Sequence, residues 1–139
     1  MANNDFAELL PEDDAIFLKD KYPEAQVYKV GDEVHVVLPS FAFPEAYQPR
    51  TADLLIRLPA GYADAKPDMF WTKPDVKLAS GAWPTASEPH VIPGAGKGVE
   101  VYANVPWQQW SRHSTEWRSG VDGLRNYIGA IKRELARQI

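Results

Sequence analysis

Gln26-Val27-Tyr28-Lys29-Val30-Gly31-Asp32-Glu33-Val34-His35-Val36-Val37-Leu38 sets the class of the fold. Two β-rich runs flank Gly31-Asp32, a dipeptide suited to a tight turn, so the segment predicts an antiparallel hairpin. His35 alternates with valines, which predicts a side chain facing solvent or a partner. A strand pair this early in a short chain needs neighbours to bury its apolar side.

Upstream, Pro11 followed by Glu12, Asp13 and Asp14 suits a helix N-terminus, where proline lacks no needed donor and acidic groups meet the helix dipole favourably. Leu10, Ile16 and Phe17 give that helix an apolar side and Tyr22-Pro23 ends it, predicting a helix over 11–21. Residues 1–9 are expected as a flexible tail. Downstream, Asp53-Leu54-Leu55-Ile56-Arg57-Leu58 and Met69-Phe70-Trp71-Thr72 predict a third and a fourth strand.

Between Pro74 and Pro106 the periodicity dissolves into prolines and glycines, predicting a long irregular crossover with one short strand at Val99–Tyr102. Val121, Leu124, Ile128, Ile131 and Leu135 then recur at steps of three and four, predicting a closing helix over 121–136. The whole reads as a single α+β domain over 1–139: N-terminal helix, four-stranded antiparallel meander, crossover, C-terminal helix.

Composition narrows the chemistry. The 139 residues contain no cysteine, so disulfides, zinc–thiolate sites and thiolate nucleophiles are excluded together. A net charge of −4 argues against nucleic acid as a partner, since phosphate binding needs a basic footprint. No apolar run reaches the ~20 residues needed to span a bilayer, so no membrane partner is expected and a cytoplasmic location is. Six acidic residues fall within 1–20, whereas arginine and lysine dominate the last turns of the chain. These halves are expected to pair, or to offer partners two differently charged surfaces.

Trp107-Gln108-Gln109-Trp110-Ser111-Arg112-His113, continued by Trp117-Arg118, concentrates three of the five tryptophans. Tryptophan and arginine serve cores and interaction hot spots alike, so Trp107, Gln109, Trp110, Arg112, Trp117 and Arg118 are candidate binding residues, with a structural plug beneath the crossover as the competing role. His113 is the candidate for proton exchange near neutral pH, and Ser111 the candidate hydroxyl nucleophile. Ser111 is only two positions from His113, and Glu116 is the nearest sequence candidate for orienting the imidazole. His35, His90 and His113 lack metal-ligand spacing, and Gly94-Ala95-Gly96-Lys97-Gly98 lacks the phosphate-loop pattern; no metal or cofactor is expected.

The order of elements, with Leu58-Pro59-Ala60-Gly61-Tyr62 and Lys66-Pro67-Asp68-Met69-Phe70-Trp71, resembles the ubiquitin-conjugating (UBC) fold. The strings Trp107–His113 and Trp117-Arg118-Ser119-Gly120-Val121-Asp122-Gly123-Leu124 are similar to prokaryotic family E of that superfamily, over about residues 10–137. The resemblance implies a bacterial ubiquitin-like pathway, with a ubiquitin-like protein and an activating-enzyme-like protein as partners and the acidic first helix as a docking element. It also implies a cysteine about eight residues before the tryptophan turn, where Gln109 stands. A His-Pro-Asn motif is implied too, where Lys73-Pro74-Asp75 stands. Without nucleophile or oxyanion donor, the expected function is non-catalytic binding. The alternatives are a transferase using His113 or Ser111, and a self-assembling structural component.

Overall fold

Consecutive runs such as Val36-Val37-Leu38 and Leu54-Leu55-Ile56 are buried at every position, so the strands that carry them have protein on both faces. The structure, a computed structural model, describes residues 5–91, 106–113 and 116–139. Its elements, in chain order, are α1 (Glu12–Lys21), β1 (Gln26–Val30), β2 (Glu33–Ala42), β3 (Tyr47–Gln48), β4 (Thr51–Leu58), β5 (Phe70–Lys73), β6 (Lys77–Leu78), β7 (Ser87–Val91), β8 (Trp107–Trp110) and α2 (Leu124–Ala136). The fold is α+β, two helices against a mostly antiparallel sheet, as expected of a UBC-like chain.

The predicted hairpin pairs Val30 with Glu33 across a turn where Gly31 adopts φ +63°, a conformation that glycine reaches without strain. The meander β1-β2-β4-β5 follows in sequence and is then extended by β8 and β7 into a six-stranded sheet, with β3 and β6 forming a separate two-stranded ribbon. Within the predicted crossover, then, the described part 74–91 contains β6 and β7. The strand expected at Val99–Tyr102 lies outside the described residues.

One sheet face packs on the helices. Val27, Val36, Leu38, Leu54 and Ile56 meet Phe17 and Leu18 of α1 and Leu124, Ile128, Ile131 and Leu135 of α2. The other face carries a smaller cluster of Val37, Leu55, Trp71 and Trp107.

Three expectations need correction. Residues 5–9 are not loose: Phe6–Glu8 forms a 3-10 turn, with Phe6 in the core. Val121 lies outside α2 and is exposed, because the helix begins only at Leu124. His35 is fully buried and does not face solvent. Its Nε2 lies 3.0 Å from Glu33 Oε1, and the same carboxylate accepts from Arg57 Nη2 at 3.1 Å. A carboxylate shared between imidazole and guanidinium satisfies the buried ring, which is what alternation with valines cannot reveal.

The two helices are joined by Asp14. Its Oδ1 accepts the Leu124 amide at 3.0 Å and its Oδ2 accepts the Tyr62 hydroxyl at 2.7 Å. The carboxylate of α1 thereby caps the N-terminus of α2, where free amides and the helix dipole favour negative charge.

Candidate functional site

Trp107-Gln-Gln-Trp110 forms β8, a central strand paired with β5 on one side and β7 on the other. Gln108 is buried, and its side chain does the work of a neighbouring backbone: Oε1 accepts the Val76 amide at 2.6 Å, and Nε2 donates to the Val76 carbonyl at 2.9 Å. Thr72 Oγ1 donates to Gln108 Oε1 at 3.2 Å and accepts Trp110 Nε1 at 2.8 Å. The turn after β5 is thus fastened to β8 through a fully satisfied polar network. Trp110 is wholly buried, stacked on Phe70 at 5.3 Å between ring centres. Trp107 is buried on the opposite face. Gln109 is half-buried and donates to Ser111 Oγ at 3.4 Å.

This anchored strand delivers Arg112 and His113 to the surface beside α2. The Arg112 guanidinium lies over the Trp110 ring and donates to the carbonyls of Thr85 at 2.9 Å, Glu134 at 3.3 Å and Ile139. It ties β8 to the end of α2. His113 is exposed, and its Nδ1 lies 2.6 Å from Asp68 Oδ1. That contact joins the end of β8 to the loop before β5. The partner that orients His113 is therefore Asp68, brought in from 45 positions away, rather than Glu116. Ser111 makes no hydrogen bond to His113 among the described residues, and the Ser–His pair is not assembled.

Farther along, Trp117 Nε1 donates to the Ala63 carbonyl at 2.9 Å, and Ser119 Oγ donates to the Asp64 carbonyl at 2.8 Å. Both bonds pin the 116–120 turn onto the segment that follows β4. Arg118 reaches Asp122: its amide meets Oδ2 at 3.0 Å, and its guanidinium meets Oδ1 at 2.9 Å. The amide, and then the guanidinium, hold the Asp122 carboxyl below its ordinary value.

The cleft beside His113 has a volume of about 230 Å³ and is lined by Phe70, Arg112, His113 and the Tyr127–Glu134 side of α2. Tyr127 is buried there, and its hydroxyl has no hydrogen-bond partner among the described residues. Burial raises its pKa, and the charge of Asp68 adds to the effect. Burial raises Tyr62 in the same way, with the Asp14 carboxylate adding to it.

Among the described residues no three histidine or acidic side chains converge to hold a metal ion, and no helix is long and apolar enough to cross a membrane. Sequence reasoning missed Asp68, Gln108 and Tyr127 as site residues. Asp68 was visible only within the Pro67–Trp71 string, and Tyr127, three positions after Leu124 and four before Ile131, shares the buried face of α2 with the aliphatic stripe.

No curated protein and no solved structure matches the chain. A family comparison does find a match, prokaryotic E2 family E, over residues 10–138. That span runs from Leu10, two residues before α1 begins, to the penultimate residue of the sequence, taking in both helices, the sheet and the Trp-Gln-Gln-Trp strand. The chain belongs to prokaryotic E2 family E.

Proposed function

We propose that this protein is a cysteine-free, conjugating-enzyme-like binding protein that docks a ubiquitin-like protein, its activating enzyme, or both. Family membership supports a UBC-like role in a pathway of this kind. The observation that carries the non-catalytic reading is the absence of any cysteine from the 139 residues, 10–138 of which match the family. Thioester transfer needs a thiolate, and none is available. The docking element is α1, whose exposed Glu12 and Asp13 and exposed Ile16 combine charge for steering with an apolar contact.

Native mass spectrometry of the protein mixed with a bacterial ubiquitin-like protein and its activating enzyme tests the reading. A complex is expected, weakened by Ile16→Asp. If neither protein associates with this one at tens of micromolar, the docking role fails.

A second reading is favoured by one contact. The 2.6 Å approach of Asp68 to His113 Nδ1 leaves Nε2 without a hydrogen-bond partner among the described residues, a nitrogen that can take a proton, or take an acyl group as the activating group departs from it. Incubation with an activated ubiquitin-like protein would then give a hydroxylamine-sensitive adduct that is lost in His113→Ala. An adduct that survives that substitution excludes His113. Self-association through the tryptophans draws little support, because Trp107 and Trp110 are spent within the sheet.

A further inference from the structure

Ile16 is the one large apolar side chain of α1 that faces solvent, 59% exposed, while Ala15, Phe17 and Leu18 beside it are buried. It forms a ridge between two hollows. Towards α2 it borders the cleft that Val121 and Arg125 also line. On its other side it borders a cleft of about 600 Å³ with apolar walls supplied by Phe6, Ala7, Ala15 and Pro23. An exposed apolar ridge beside an apolar hollow marks a contact surface.

Two charges frame the ridge. Glu12 and Lys19 are exposed, four positions before Ile16 and three after it, so the three side chains share one stripe of α1. Neither is in an ion pair among the described residues, whereas the neighbouring Asp20 and Lys21 are paired with each other at 3.6 Å. Glu12 and Lys19 stand about 10 Å apart along the helix, two turns, and so are not neighbours of one another. Asp13 is turned the other way, into the cleft towards α2.

A stripe that reads acid, apolar, base is its own complement. The midpoint of Glu12 and Lys19 falls between Ala15 and Ile16. A second copy laid antiparallel across that point, by a two-fold rotation, brings Glu12 of each copy opposite Lys19 of the other. The small Ala15 at the axis allows close approach, and each Ile16 meets the apolar cleft of the other copy. An unrelated partner would need the same three groups in the same order; a second copy of this chain has them already.

We infer that the protein forms a two-fold dimer through α1, with Ile16 of each copy against the cleft of the other and reciprocal Glu12–Lys19 ion pairs across the axis. One helix stripe makes a small interface, so the dimer is of the weak, exchanging kind. The inference concerns this protein alone and does not rest on docking of other proteins through α1, so either can fail without the other. Where both occur they exclude each other, because both cover Ile16.

The test is sedimentation equilibrium of the protein alone, from about 10 µM to about 1 mM at low salt. A reversible equilibrium between monomer and dimer is expected. Glu12→Lys and Lys19→Glu are each expected to weaken dimerisation about tenfold or more, because each sets two like-charged pairs across the axis. An equimolar mixture of the two variants is expected to regain the parental association, since the mixed dimer restores both opposite-charge pairs. Both substitutions fall at exposed positions and leave Ile16 in place, so both variants fold. A strict monomer across the whole range, single variants that dimerise like the parent, or a mixture that associates no better than its parts overturns the inference.

Discussion

A methyl group on Gly123 would stand 2.5 Å from Asp14 Oδ1, the atom that accepts the Leu124 amide across 110 positions of sequence. The glycine is needed here for close approach, its backbone being extended at φ −147°. Gly123→Ala is expected to cost about 1–3 kcal/mol through this clash. In an Asp14→Ala background the clash is gone and the same substitution is expected to cost less than about 1 kcal/mol. Urea midpoints of the four proteins in the cycle measure the coupling.

Gln108 and Gln109 are neighbours with opposite prospects. Gln108→Leu strands the amide and carbonyl of Val76 in the interior and is expected to cost at least about 2 kcal/mol. Gln109→Ala, which removes a half-buried side chain from a long contact with Ser111, is expected to cost less than about 0.5 kcal/mol. Equal losses in denaturant midpoint would contradict the bonded network described for β8.

Tyr62 and Tyr127 both hold their phenols above the ordinary value of 10.0, burial being the first cause and the carboxylates of Asp14 and Asp68 adding to it. In the unfolded chain these phenols ionise near that ordinary value. Their contribution to stability is therefore complete below pH 10 and drains away as the pH rises through 10 towards the folded values. Denaturant midpoints are expected to fall between about pH 9 and pH 11. Tyr127→Phe should fall less steeply over that range. At neutral pH the variant is expected to match the parent or exceed it by up to about 1 kcal/mol, since an unmet donor has been removed.

Asp122 is held below 3.8 first by the Arg118 amide and also by its guanidinium. Arg118→Gln removes only the guanidinium. The carboxyl is expected to titrate higher than in the parent yet still below 3.8, as read by carbon-13 chemical shift. What the pairing contributes to the fold is present above the unfolded value and disappears as the pH drops through the folded one.

The parts of the fold that were legible in the sequence are those with a strong local period. α1, the hairpin, β4, β5 and the stripe from Leu124 to Leu135 all appear close to their expected places. β8 was not legible as a strand. Trp-Gln-Gln-Trp has no alternation, and its two glutamines sit where a central strand ordinarily carries aliphatics. Gln108 is tolerated there because Val76, 32 positions away, meets both ends of its amide. His35 was misplaced for a similar reason: Glu33 and Arg57 make burial affordable, and no periodicity reports a satisfied polar group. At the candidate site, His113 was visible by residue type. Its partner Asp68 belonged to another segment, and a single sequence does not announce such a meeting.

The position of β8 between β5 and β7 also bears on when the site comes into being. β1, β2, β4 and β5 pair with near neighbours in sequence, whereas Lys73 and Trp107, the end of β5 and the start of β8, are 34 positions apart. Closing that span costs chain entropy before any pairing repays it, so the local meander is expected to form first and β8 to insert afterwards. The approach of His113 to Asp68 and the cleft beside it both need β8 in place. A partner that recognises this end of the molecule would therefore engage finished chains and pass over those still folding.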